Sequence, residues 1–239
     1  MESAYPLTHI KKAFADVVQL LYPRLCSGCG NDLPQKEQLL CISCLHQLPL
    51  TNFYLHEGNR VEKIFWGRIP VVTASAYLYF TKHSVLQRLL HQFKYKGNKA
   101  IGEYFGRRMG ETFIQCNRYK DIEALIPLPL YYKKERKRGY NQAEIICRGI
   151  KDITGLPVMN HVVKRIVHTE TQTRQNREQR WKNIEEKFQL TDQVSLVDKH
   201  VLLIDDVITT GATLESCGME LLKIPGLRLS MASLAYTSL

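Results

Sequence analysis

The sequence predicts an α/β protein in which a parallel sheet is flanked by helices and preceded by a small zinc-ribbon module. Three observations carry this. Strand-like and helix-like segments take turns through most of the chain. The strand-like runs are rich in apolar residues, as strands buried on both faces are. Two CxxC pairs, Cys26-Ser-Gly-Cys29 and Cys41-Ile-Ser-Cys44, are separated by eleven residues. The 239 residues, 44% hydrophobic and 23% charged, suffice for one sizeable core and a small appendage. They exclude a fibre, a low-complexity linker and a disordered acidic tail. The expected division is 1–50 for a helix plus the four-cysteine zinc finger and 51–239 for the α/β domain.

At the start of the chain Leu7, Ile10, Phe14, Val17 and Leu21 recur at helical spacing with Lys11, Lys12, Asp16 and Gln19 between them, which predicts an amphipathic helix and not a signal peptide. The longest apolar stretches fall short of the roughly 20 residues a bilayer span requires, so no membrane span and a cytoplasmic location are expected. In a reducing compartment thiols stay free, and the two CxxC pairs read as a Zn²⁺ site held by Cys26, Cys29, Cys41 and Cys44. Four thiolates close the tetrahedral shell, which makes such a site structural. Two redox pairs or four buried free thiols are the alternatives. His46 reads as a surface residue, and Cys116, Cys147 and Cys217 as small core residues.

In the main body, strands are expected over 70–80, 122–126, 200–204 and 228–236, the second halted by Pro127. Helices are expected over 83–93, 100–115, 141–152 and 213–223 from apolar residues at i, i+3 and i+4. Residues 154–157, Thr-Gly-Leu-Pro, form a stop signal. No internal repeat is visible.

The formal net charge is +10, and between positions 133 and 182 there are 13 basic against 5 acidic residues. A basic block inside a folded domain points to an anionic partner, either phosphate on a small ligand or a nucleic-acid backbone; a solvated surface is the plainer alternative.

The most specific segment is Val201-Leu-Leu-Ile-Asp205-Asp206-Val-Ile-Thr209-Thr210-Gly211-Ala212-Thr213. An apolar strand ends in two carboxylates, followed by a hydroxyl- and glycine-bearing loop and a helix start. Ligands of open α/β sheets bind at the carboxyl ends of strands. The amides of Thr209, Thr210, Gly211, Ala212 and Thr213 can surround a phosphate at the helix N-terminus, and Gly211 permits close backbone approach. Asp205 and Asp206 are acceptors suited to vicinal hydroxyls; direct Mg²⁺ binding and helix capping are the alternatives.

The thirteen-residue pattern resembles the 5-phosphoribosyl-1-pyrophosphate (PRPP) binding signature of type I phosphoribosyltransferases at every position. The resemblance implies that family's Rossmann-like fold, with Asp205 and Asp206 on the ribose hydroxyls, residues 209–213 on the 5′-phosphate, and Mg²⁺ arriving with the pyrophosphate. Further motifs narrow it: the four cysteines, then Phe93-Lys94-Tyr95-Lys96-Gly97, Ile126-Pro127-Leu128-Pro129 and Arg138-Gly139-Tyr140-Asn141-Gln142-Ala143-Glu144, then Arg165 with Thr169 and Gln172, and Arg180 with Asn183 and Phe188. In this order they are similar to the ComF family, which includes ComFC competence proteins and GntX-like proteins. Arg174 or Gln175 stands where members often have leucine.

Within that resemblance the loop after Pro129 is the place for pyrophosphate. Lys133, Lys134, Arg136, Lys137 and Arg138 offer the charge, and Arg138 with Gly139 is the expected contact. Asn141 reads equally as a helix N-cap and as a ligand contact.

The implied function is a PRPP-binding, phosphoribosyltransferase-like protein of DNA uptake in natural competence. An active phosphoribosyltransferase of nucleotide salvage or biosynthesis is one alternative, and a zinc-containing DNA-binding module without turnover is the other. No base-reading element and no catalytic constellation can be assigned. Expected partners are PRPP, single-stranded DNA and DNA-uptake proteins. A single-strand surface is expected from the basic block interleaved with Tyr131, Tyr132, Tyr140 and Trp181, with Arg174, Arg177 and Arg180 as its nucleic-acid-binding residues.

Overall fold

The computed structural model describes residues 24–34, 38–166 and 187–237. The expected N-terminal helix, Trp181, and Arg174, Arg177 and Arg180 lie outside the described residues. The chain divides into two compact units, Met1–Leu48 and Pro49–Leu239. Among the described residues no helix is long and apolar enough to cross a membrane.

In the first unit Leu25 bridges Asp32 in antiparallel fashion. A five-residue helix, α1 (Ile42–His46), begins at Cys41, whose sulfur accepts the Cys44 N–H. Leu33 and Leu40 are the buried apolar residues beside Cys26 and Cys44.

The second unit runs α2 (Arg60–Phe65), β1 (Ala74–Tyr79), α3 (Val85–Tyr95), α4 (Lys99–Gln115), β2 (Ala124–Pro127), α5 (Tyr132–Arg138), α6 (Gln142–Thr154), β3 (Val163–Ile166), β4 (Lys187–Leu190), β5 (His200–Ile208), α7 (Ala212–Leu221) and β6 (Arg228–Tyr236). Strands β1, β6, β5 and β2 form, in that spatial order, a wholly parallel sheet; β3 and β4 pair antiparallel as a separate ribbon. Side chains alternate between faces along a strand, and both sets are buried here. Val201, Leu203, Leu229 and Met231 share one core with Leu214, Cys217 and Leu221 of α7 and Phe65 of α2. The alternate set, Leu202, Ile204, Ala232 and Leu234, is equally buried, with α4 and α6 against the sheet. Each fully buried side chain of this kind stabilises the fold by about 1.5–3 kcal/mol. This is the expected parallel α/β sheet flanked by helices.

Helices α4 and α6 pack backbone to backbone through glycine. A Cβ on Gly149 would lie 2.3 Å from the Glu103 carbonyl oxygen, and one on Gly106 would lie 2.3 Å from that of Ile146.

Three expectations are corrected. Pro127 does not halt the second strand early; it is the last residue of β2, opposite Ile204. On this edge strand its nitrogen points away from β5, where no ladder bond is required. The strand expected to end at Ile204 continues to Ile208, because β6 extends beside it and pairs Ser233, Ala235 and Tyr236 with Asp205, Val207 and Ile208. The run 132–138, expected as a loop, is helix α5, closed by Gly139 at φ 80°.

Candidate functional site

The extension of β5 creates the site. Strand β2 stops opposite Ile204, so Asp205 and Asp206 sit on a strand whose β2-side edge is open. A cavity of about 200 Å³ forms there, and both carboxylates face it with Lys94, Lys134, Arg138 and Arg165. The Asp206 N–H donates to Asp205 Oδ1 at 2.7 Å, and Asp206 Oδ2 lies 2.8 Å from Lys94 Nζ. Asp205 is half-buried at the edge of the cavity. Burial first, then the charge on Asp206, push its pKa up to about 7, against the Asp206 N–H, Lys94 and Arg165, which pull it down. Asp205 is therefore an acceptor whose charge changes around neutral pH.

The loop that follows is shaped from beneath. Gly211 adopts φ 74° as the N-cap of α7, and a Cβ there would meet Ile64 Cγ2 at 2.7 Å and Phe65 Cε1 at 2.9 Å. A close approach to α2 therefore demands glycine here, in addition to the positive φ. Helix α2 is itself set by Asn59, whose Oδ1 accepts the N–H groups of Val61 and Glu62. Arg68 clamps the loop: Nη1 donates to the Thr210 carbonyl at 3.3 Å and Nε to Glu215 Oε1 at 3.1 Å. Thr209, Thr210 and Ala212 are exposed, and Thr213 is half-buried against the main cavity.

Arg138 reaches the cavity from the last turn of α5. Its Nη1 donates to Gln142 Oε1 at 2.7 Å, and its guanidinium lies over the Tyr95 ring at 5.6 Å. Gly139 is not among the cavity-lining residues; it turns the chain between α5 and α6. Asn141 caps α6, its Oδ1 accepting the Ala143 N–H at 3.0 Å while Nδ2 donates to the Leu128 carbonyl at 3.0 Å, and it also lines the cavity, so it keeps both expected places. Tyr140, expected as a base-stacking platform, is only 7% exposed, and its hydroxyl donates to the Phe93 carbonyl. Tyr132 is exposed, in an edge-on pair with Tyr131.

Sequence reasoning missed Lys94 and Arg68 as site residues. Lys94 was present only as part of a motif, and nothing local marks Arg68. A larger cavity, about 370 Å³, opens at the other end of the strands beside Phe113, Tyr119, Thr154 and Leu202. It has no carboxylate in its lining and so lacks the acceptor pair.

In the first unit the sulfurs of Cys26, Cys29, Cys41 and Cys44 all lie within 4.8 Å of one another. Tetrahedral zinc with bonds of about 2.3 Å separates its sulfurs by about 3.8 Å, and Cys29 and Cys41 stand 3.7 Å apart. Burial opposes ionisation of Cys26, but N–H donation from Cys41, Cys29 and Gly28 outweighs it and lowers the thiol to about 6. The cluster fits a zinc ion. His46 is exposed and is not part of the cluster. All seven cysteines are unpaired, and Cys116, Cys147 and Cys217 are buried.

No protein-family model matches the chain. It is 29% identical over 205 residues to Competence protein F of Haemophilus influenzae, covering 84% of this chain and 85% of that one. It is 25% identical over 203 residues to DNA utilization protein YhgH of Escherichia coli, covering 83% and 84%. With Competence protein ComFC of Bacillus subtilis the identity is 27% over 200 residues, covering 83% and 72%. Among solved structures, the glutamine PRPP amidotransferase of B. subtilis aligns at a TM-score of 0.36 and 13% identity, over 55% of this chain and 26% of that one.

Proposed function

We propose that this chain binds PRPP with Mg²⁺ at the open end of β5 and serves DNA uptake in the cytoplasm as a phosphoribosyltransferase-like competence protein. The observation that carries the reading is the meeting of two carboxylates and four cations in one cavity beside a loop at a helix N-terminus. A sugar diol needs acceptors and a pyrophosphate needs cations, and PRPP presents both on one ribose. In this reading Asp205 and Asp206 accept the ribose hydroxyls, and the amides of 209–213 hold the 5′-phosphate. Arg138, held by Gln142 and Tyr95, grips the pyrophosphate with Lys134 and Arg165. Mg²⁺ comes as the pyrophosphate's counter-ion and offsets charge on its oxygens. The link to DNA uptake is supported by the names of relatives that match most of this chain and most of their own. Zn²⁺ would brace the four-cysteine unit.

Calorimetric titration of PRPP with Mg²⁺ tests the reading. Asp205→Ala and Asp206→Ala are each expected to weaken binding by about 1–3 kcal/mol; undiminished affinity in the double variant would remove the ribose role. The pH dependence follows from the raised pKa of Asp205, near 7. The diol needs the ionised form, so affinity should fall as pH drops from 8 to 6, a fall that Asp205→Asn should lack. The folded protein holds this proton more firmly than the unfolded chain. Asp205's own contribution to stability without ligand should therefore grow as pH falls from about 7 toward about 4, read as the difference between wild type and Asp205→Asn.

A further inference from the structure

Lys94 occupies the last turn of α3, and its ammonium lies 2.8 Å from Asp206 Oδ2, the two side chains 21% and 13% exposed. The backbone that carries it is anchored. Ser84 caps the start of α3, accepting the Gln87 N–H at 3.1 Å. At the far end the Tyr140 hydroxyl donates to the Phe93 carbonyl, and the two rings pack at 5.9 Å. The ammonium can therefore exchange partners within the cavity, whereas the helix end holds its place. A diol that reaches Asp206 must displace or share this ammonium. An ammonium separated from its carboxylate in a partly buried site is costly unless another anion meets it.

We infer that Lys94 is a specificity-determining residue that makes occupation of Asp206 by a diol conditional on a phosphate group next to that diol. PRPP meets the condition, because its pyrophosphate leaves the ribose carbon adjacent to the 2′-hydroxyl; the hydroxyls take Asp206 and a phosphate oxygen takes Lys94. Ribose 5-phosphate carries the same diol and 5′-phosphate without an anion at that carbon, so it breaks the ion pair and offers Lys94 nothing. Pyrophosphate alone engages Lys94 only in competition with Asp206. The inference rests on the PRPP reading above and names the residue that would separate PRPP from its hydrolysis product.

The test is titration of the full-length chain at pH 8.5 with Mg²⁺, using PRPP, ribose 5-phosphate and pyrophosphate as separate probes. Lys94→Met keeps the stem and removes the charge. It is expected to weaken PRPP about tenfold or more, the scale of a charge-assisted hydrogen bond, while ribose 5-phosphate binds as well as before or more tightly. Lys94→Arg should restore the preference. Asp206→Asn frees the ammonium and should tighten pyrophosphate several-fold, an arm that stands even if Lys94→Met fails to fold. Parallel weakening of PRPP and ribose 5-phosphate in Lys94→Met, or pyrophosphate affinity that does not rise in Asp206→Asn, overturns the inference and leaves Lys94 a structural partner. Wild-type protein that binds no PRPP overturns the functional reading itself and this inference with it.

Discussion

Helices α5 and α6 follow β2 one after the other, separated by residues 139–141, and they are built on opposite principles. Helix α5, Tyr-Lys-Lys-Glu-Arg-Lys-Arg, buries none of its residues. Helix α6 buries Gln142, Ala143, Ile145, Ile146, Cys147, Gly149 and Ile150 and touches α4 through glycine. The first displays charge, and the second fixes where that charge sits. Arg138 links them, because it belongs to α5 but is oriented by Gln142 at the first turn of α6. A ligand-facing cation on a solvated helix can change without disturbing the core, provided that the neighbouring core helix holds it in register.

The largest effect expected from this contrast is at Gly149. Alanine there drives a Cβ into the Glu103 carbonyl, a backbone atom with no rotamer to yield. Separating α4 from α6 should cost about 1–3 kcal/mol, more than the roughly 0.5–1 kcal/mol that alanine gains from helix propensity. The thermal midpoint should fall by several degrees, at about 2–4 °C per kcal/mol for a chain of this size. An unchanged midpoint would break the contrast. Next comes a paired comparison. Asn141→Ala removes the α6 cap and should lower stability by about 1 kcal/mol. Arg138→Ala should leave stability within about 0.5 kcal/mol, yet weaken PRPP by about 1.5–3 kcal/mol, the worth of a hydrogen bond to a charged group. Equal destabilisation by the two substitutions, read from denaturant midpoints, would show that α5 is part of the core. Smallest is Lys133→Ala: its ammonium lies over the Tyr132 ring and outside the cavity lining, so both PRPP affinity and denaturant midpoint should stay within about 0.5 kcal/mol of wild type. A larger loss of affinity would extend the binding surface along the outer side of α5.

The contrast also marks where the sequence could be read. Helix α6 showed itself through apolar periodicity and the Asn141 cap, whereas α5, a helix without an apolar face, gave no periodic signal. Its helicity comes from lysine, arginine and glutamate propensity and the glycine that closes it. The ribbon of β3 and β4 was invisible for a related reason. Lys164 and Arg165 stand side by side and break the alternation of one strand; the other, Lys-Phe-Gln-Leu, alternates, but over only four residues. The pairing joins segments that no local signal connects.

The sequence by itself determined the types of chemistry and the local conformations: four sulfurs in two turns, a buried strand carrying two carboxylates, a glycine where φ is positive, and the last strand, which spans Arg228–Tyr236 as expected. These depend on neighbours within a few residues, where side-chain shape and backbone preference act directly. Only the tertiary structure decided that β5 outruns β2, which opens the crevice, that Lys94 rather than one of the α5 cations meets Asp206, and that Gly211 is pressed by α2. The raised pKa of Asp205 belongs to the same class, since burial and the field of Asp206 set it, with Lys94 and Arg165 working against them. Electrostatic and packing energies depend on distance in space, and distance along the chain carries no record of which elements the sheet will bring together.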